Sequence, residues 1–256
     1  MKTISKILIL CCSVLLSATA LAQKATTYAI VIGVADYQSI NDLTYTTTDA
    51  QKIYTFLKSQ AGGAVPSNHI RFLTNSSATK ANILKEMKYI FSFAKPQDRV
   101  IFYFSGHGDV GLFCPHDIQT TGTNALLHDE IKDAFKACKA RTKLCIADAC
   151  RSGSIKKMSA TSAQRQNGLE DKSAGVAVLM ASKASQYALE NNYLKQGFFT
   201  YYLIQGLSGK ADTNRDKTIN IKELFIYVSK NVKRESKGKQ APIMFSNTYT
   251  MPVAHL

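Results

Sequence analysis

Proline is scarce in this chain, five residues in 256, and neither a low-complexity segment nor an internal repeat interrupts it. This excludes an extended linker or a repeat array and leaves a length suited to one well-packed domain. Beyond residue 22 there is no apolar run of the roughly 18 residues that a membrane-spanning helix needs. Acidic residues are the scarcer charge, 18 against 32 Lys and Arg. Such an excess suits anionic surfaces, but the basic residues are scattered and arginine does not cluster with aromatics. Nucleic-acid binding is therefore not expected. Arginine itself is missing from the first 70 residues, so the early loops carry no guanidinium.

The amino terminus differs from the rest. Lys2 and Lys6 precede an apolar run from Ile7 to Leu16, and Ala20-Leu21-Ala22 supplies a small-x-small cleavage site. The run is too short to span a bilayer and remain there. Residues 1–22 are thus expected to be an export signal, with a single domain over 23–256 in the periplasm or outside the cell. Leu10 before Cys11 is bulky where lipoprotein processing sites carry a small residue, so lipid attachment is not expected. Without the leader the net charge falls from +14 to about +12. Four cysteines then remain, Cys114, Cys138, Cys145 and Cys150. That is no dense disulfide framework, and at least one thiol is available for another purpose.

Strand and helix patterns alternate along the remainder. Buried strands are expected at 27–37, 69–74, from Asp98 to Gly106, at 143–149 and at 175–182, with a short one at 241–246. Helical spacing occurs at 47–60, 78–94, 128–140, 198–207 and 221–233. The alternation implies an α/β fold with a mostly parallel sheet of about six strands between helices. Ligands in such folds bind beyond the carboxyl ends of the strands.

Two strands end in reactive side chains. "FYFSGHGDV" presents His107 between Gly106 and Gly108, where the strand is expected to give way to a loop, and "ADACRSG" presents Cys150. Parallel neighbouring strands would bring both to one sheet edge. An imidazole there activates a thiol as base or ion-pair partner. The backbone N–H groups of Gly108 and Cys150 are candidate oxyanion donors. Taken singly, a cysteine after an apolar strand is commonly a small core residue; the pairing with His107 gives it meaning.

"FYFSGHGD" and "LCIADACRSG", with "TTTDA" upstream and "GFFTYYLIQGL" downstream, resemble the caspase-like cysteine peptidases, in particular their bacterial metacaspase-like branch. The resemblance covers nearly all of residues 28 to 250. It implies a caspase-type α/β/α sandwich and a His107/Cys150 catalytic dyad with no third member; no cofactor is expected to be required, with calcium the one candidate. It also implies cleavage after Arg or Lys, with Asp49, Asp148 and Ser105 matching the family's substrate-pocket residues. The residues agree with that charge preference, since clustered carboxylates favour a cationic side chain. Asp49 could instead serve a helix N-terminus, Asp148 could be a satisfied strand-end carboxylate, and Asp36 reads as a turn residue. Two departures from the metacaspase pattern bear on the pocket: Arg151 stands where many relatives have histidine, and Thr46 where a cysteine is common. The polar stretch 154–174 carries four basic residues and is where such enzymes mature by self-cleavage; a plain surface loop is the alternative.

"DTNRDKTINIKE" places Asp212, Asn214, Asp216, Thr218, Asn220 and Glu223 in the ligand register of a calcium loop. Lys217 occupies the position that wants glycine, and a polar turn capping the following helix fits the residues equally. Two non-enzymatic readings compete with the peptidase: a silent binding scaffold of the same fold, and a basic protein that binds an anionic envelope polymer.

Overall fold

A computed structural model describes residues 25–151, 169, 175–181, 190–191 and 194–256. The leader expected over 1–22 lies outside these residues. So does the stretch 154–174 apart from Leu169, which is buried in the core.

Five strands with β-branched and aromatic residues build the centre: β1 (Thr27–Gly33), β2 (Ile70–Thr74), β3 (Arg99–Asp109), β6 (Thr142–Arg151) and β7 (Val176–Met180). They pair in the order β7-β6-β3-β1-β2, all parallel. A sixth, β11 (Ile243–Phe245), closes the β7 edge antiparallel. Two short strands, β4 (Leu112–Phe113) and β5 (Leu126–Leu127), extend from the end of β3 and complete an eight-stranded sheet. The hairpin β8 (Glu190–Asn191) and β9 (Gln196–Gly197) stands apart from it, as does the pair β10 (Thr218–Asn220) and β12 (Pro252–His255).

The pleat sends alternate residues to opposite faces, and each face is sealed by its own helices. Val100, Phe102 and Phe104 pack with Ile83, Met87 and Phe91 of α2 (Lys80–Ser92) and with Ile131 and Phe135 of α3 (His128–Ala137). Ile101 and Tyr103 pack with Ile53 and Leu57 of α1 (Thr46–Lys58), Phe199 and Leu203 of α4 (Phe198–Gln205), and Leu224 and Val228 of α5 (Ile221–Glu235). The result is an α/β/α sandwich around a mostly parallel sheet. Parallel strands buried on both faces account for the near-continuous apolar runs in the sequence.

Local chemistry sets the helix ends. Thr79 caps α2 by accepting from the Asn82 N–H. Asn220 and Glu223 form a reciprocal capping box at the start of α5, with bonds of 3.0 and 3.1 Å.

The expectation that β3 yields to a loop at His107 is corrected. The strand runs on to Asp109, with Gly108 paired to Phe113 of β4 on one side and Arg151 of β6 on the other. Pairing on both sides holds the backbone extended through the glycines. Gly106 serves close approach and not a turn: a Cβ there would lie 2.7 Å from the Tyr37 hydroxyl and 2.9 Å from the Phe104 ring.

Candidate active site

The parallel register of β3 and β6 organises the site. Ser105 is paired with Asp148, Gly106 with Ala149, and His107 with Cys150. His107 and Cys150 thus occupy adjacent backbone positions at the carboxyl end of the sheet, about 4.8 Å apart in the direction across the strands. The β1 strand stops at Gly33, level with Ser105, so β3 projects past it. The segment after β1 fills the space that is left.

That segment fixes His107. The Tyr37 hydroxyl accepts from the His107 backbone N–H at 2.7 Å, and the two rings lie 5.0 Å apart. The Tyr37 N–H in turn donates to Asp42 Oδ1 at 2.9 Å. The imidazole Nε2 stands 2.9 Å from the carbonyl oxygen of Asn41. A carbonyl only accepts, so Nε2 carries the hydrogen, and in the neutral ring the basic lone pair resides on Nδ1. Neither Tyr37 nor Asn41 was marked out by the sequence.

The hydroxyl of Tyr37 is the acceptor for a buried backbone donor, so its removal has a stability cost. Tyr37→Phe is expected to lower the unfolding free energy by about 1–3 kcal/mol, the penalty for stranding such a group. Urea unfolding of the two proteins measures it.

One step down the strands lies a carboxylate pair. Asp49 on α1 is 2% exposed and Asp148 on β6 is 5% exposed. Asp49 accepts from the Gly197 N–H at 3.1 and 3.2 Å and from the Ser105 hydroxyl at the long distance of 3.4 Å. Its bonds therefore run to β9 and β3. Asp148 Oδ2 accepts from the N–H of Thr200 at 3.1 Å and from its hydroxyl at 2.7 Å. Thr200 is itself the acceptor for the Tyr103 hydroxyl at 2.6 Å, giving a chain from Tyr103 through Thr200 to Asp148. Gly197 sits between the two acids: a Cβ on it would be 2.5 Å from Asp148 Oδ2 and 3.1 Å from Asp49 Oδ2.

Like charges in a buried place cannot both ionise freely. Burial pushes the pKa of Asp49 well above the ordinary carboxylate value, and the Asp148 charge pushes it further. The Gly197 and Ser105 hydrogen bonds and the Lys52 ammonium oppose that rise. Lys52, one turn along α1 from Asp49, donates to the side-chain oxygen of Gln196 beside Gly197. Two acids are thus held close to each other in the interior, with the Ser105 hydroxyl as a neutral hydrogen-bonding neighbour of Asp49.

The structure thus gathers Asp49, Ser105 and Asp148 two residues below the His107–Cys150 pair. Gly108 is also adjacent, as a paired strand residue. Thr46 donates its hydroxyl to the Val34 carbonyl at 2.7 Å, tying the start of α1 to the end of β1. Asp36 is exposed, and its N–H donates to Asn75 Oδ1 at 3.2 Å.

The loop from Asp212 to Glu223 lies elsewhere, leading into α5. Lys217 adopts a left-handed φ of 64°, and its N–H donates to Asp212 Oδ2 at 3.1 Å. Asp216 Oδ1 accepts from the Thr218 N–H, Asn214 Oδ1 from the Asp216 N–H, and Glu223 from Thr213 and the Asn220 N–H. These bonds, with the Leu256 N–H donating to the Lys217 carbonyl, hold the turn that leads into α5. Among the described residues no group of three His, Cys, Asp or Glu converges enough to hold a metal ion. Cys114, Cys138 and Cys145 are buried and form no disulfide with one another. Among the described residues, no helix is long and apolar enough to cross a membrane.

The profile of the caspase domain family matches residues 26–253. The metacaspase-1 of Eremothecium gossypii is 31% identical over 148 residues, which is 49% of this chain and 32% of that protein. The metacaspase-1 of Saccharomyces cerevisiae is 27% identical over 148 residues, 50% of this chain and 33% of its own. A probable protease of a Desulfuromonadales bacterium is 31% identical over 149 residues, 48% of this chain and 18% of its length. The chain therefore covers a third or less of each of these relatives. In fold, the crystal structure of a Geobacter sulfurreducens protein superposes with a TM-score of 0.61 at 15% identity, over 90% of this chain and 99% of that one.

Proposed function

The chain belongs to the caspase domain family, and from that premise we propose that it is an exported cysteine endopeptidase cutting peptide bonds after Arg or Lys. The observation that carries this reading is the β3–β6 register, which sets His107 beside Cys150 and Ser105 beside Asp148 in one ladder.

The proposed reaction follows from the hydrogen bonds. With Nε2–H held by the Asn41 carbonyl, Nδ1 of His107 is the base. It takes the proton of the Cys150 thiol, and the thiolate attacks the scissile carbonyl carbon. The N–H groups of Gly108 and Cys150 are the proposed donors to the oxyanion; such donors each contribute about 2.7–4 kcal/mol to the transition state. The tetrahedral species collapses as the imidazolium returns the proton to the leaving amine, leaving a thioester. Water, deprotonated by Nδ1, then releases the acid and the free thiol.

The carboxylates select the residue before the scissile bond. A guanidinium or ammonium entering between Asp49 and Asp148 relieves their repulsion, whereas an aspartate adds further negative charge. Ser105 supplies a further hydrogen bond. Hydrolysis of matched peptides ending in Arg, Lys or Asp tests the assignment. Cleavage of the first two with none detectable for the third is expected; preference for Asp refutes the pocket and spares the dyad.

A further inference from the structure

The face of the sheet that carries Tyr103 also contains a cavity at its other end. Its volume is about 460 Å³, within the range of small-molecule sites. Ile101, Tyr103 and Ile146 form the floor, and Leu57, Leu203 and Leu224 belong to the covering helices. Arg99, the first residue of β3, lines it together with Thr27 and His255. Arg99 and His107 are eight residues apart on one extended strand, roughly 26 Å. The cavity mouth is thus well removed from the dyad.

The guanidinium of Arg99 is the unusual feature. It is partly buried, and Nη1 donates to the Val253 carbonyl at 2.6 Å. Among the described residues no carboxylate pairs with it. The neighbouring Asp98 is turned to other work, accepting from the Thr26 and Lys95 N–H groups at 2.9 and 2.8 Å. Burial lowers the pKa of Arg99 with no acid opposing the shift. A guanidinium removed from water without a counter-charge is costly, and its planar donor fork matches a carboxylate in two parallel hydrogen bonds. Aliphatic and aromatic side chains predominate in the rest of the lining, with Gln60 as a further polar member. We infer that this cavity binds a linear apolar monocarboxylate, with the carboxylate on Arg99 and the chain running between the sheet and the helices toward Tyr103.

The specificity is a matter of both ends. An alcohol of equal length offers the same apolar body but no charge for Arg99, and acetate offers the charge but no body. Decanoate, decanol and acetate, each below any micellar concentration, are titrated calorimetrically into the full chain. Decanoate is expected to saturate at one per chain, with decanol and acetate at least about tenfold weaker. In Arg99→Gln, decanoate and decanol are expected to bind alike. Arg99→Lys, which keeps the charge and loses the fork, should retain a partial preference and serves if the glutamine variant does not fold. Equal binding of acid and alcohol to the wild type, non-saturating uptake, or undiminished decanoate binding in the arginine variants would overturn the assignment. None of these readouts depends on peptidase activity.

Discussion

Replacing Cys150 with alanine is expected to lower kcat/KM for an Arg-terminated peptide by about four orders of magnitude or more, as loss of a covalent nucleophile does elsewhere. The residual rate reflects binding and oxyanion stabilisation alone. His107→Ala should cost nearly as much, because a thiol of ordinary pKa is only a few per cent thiolate near neutrality and no proton would be delivered to the leaving amine. The decisive measurement is the double variant. Two residues acting as one unit are not additive, so removing both should be hardly worse than removing Cys150. Additive losses would mean that His107 and Cys150 act separately, and the dyad would be wrong. Among other histidines, His128 makes a poor substitute base: burial holds its pKa down at about 4. A mechanism-based probe, a thiol-reactive peptide ending in arginine, should label the wild type and leave Cys150→Ala unlabelled.

The sequence exposed the parts of this arrangement that depend on residue type. Long runs such as Val100 to Phe104 are apolar because both faces of the sheet are covered, so the parallel core and its helices were visible, with ends displaced by a few residues. Two-residue strands such as β4, β5, β8 and β9 carry no periodicity, and the antiparallel direction of β11 is a property of pairing that its composition does not encode. At His107 the flanking glycines suggested a break, yet the ladder with β6 overrides that local preference. The support for the imidazole was hidden for another reason. Asn41 contributes a backbone carbonyl, which any residue would offer, and it is 66 residues away. Tyr37 follows a strand and looked like its continuation. Thr200 stood inside a quoted segment, "GFFTYYLIQGL", but only the fold reveals that its hydroxyl joins Tyr103 to Asp148.

The second large effect concerns the carboxylate pair, where charge and stability oppose each other. Asp148→Asn retains an oxygen to accept from Thr200 but removes the negative charge, and kcat/KM for Arg peptides is expected to fall by roughly 100-fold or more, the scale of a buried charge pair broken on one side. Its pH dependence separates a binding role from a structural one. In the wild type Asp49 titrates above the usual carboxylate range, so KM for an Arg peptide should decrease as pH rises through that raised value and then level off. Without the Asp148 charge the pKa of Asp49 drops, and the same transition should move to lower pH. In Asp49→Asn it should vanish. The stability effect has the opposite sign. A folded-state pKa raised above the unfolded value gives a contribution present at low pH and lost as pH rises through the folded pKa. Above that raised pKa the ionised Asp49 therefore weakens the fold, and there Asp49→Asn should melt at a higher temperature while binding Arg substrates less well. A variant that lost both stability and affinity would assign Asp49 to the packing of α1 against β9; a gain in the first with a loss in the second is what a residue kept for a cationic substrate requires.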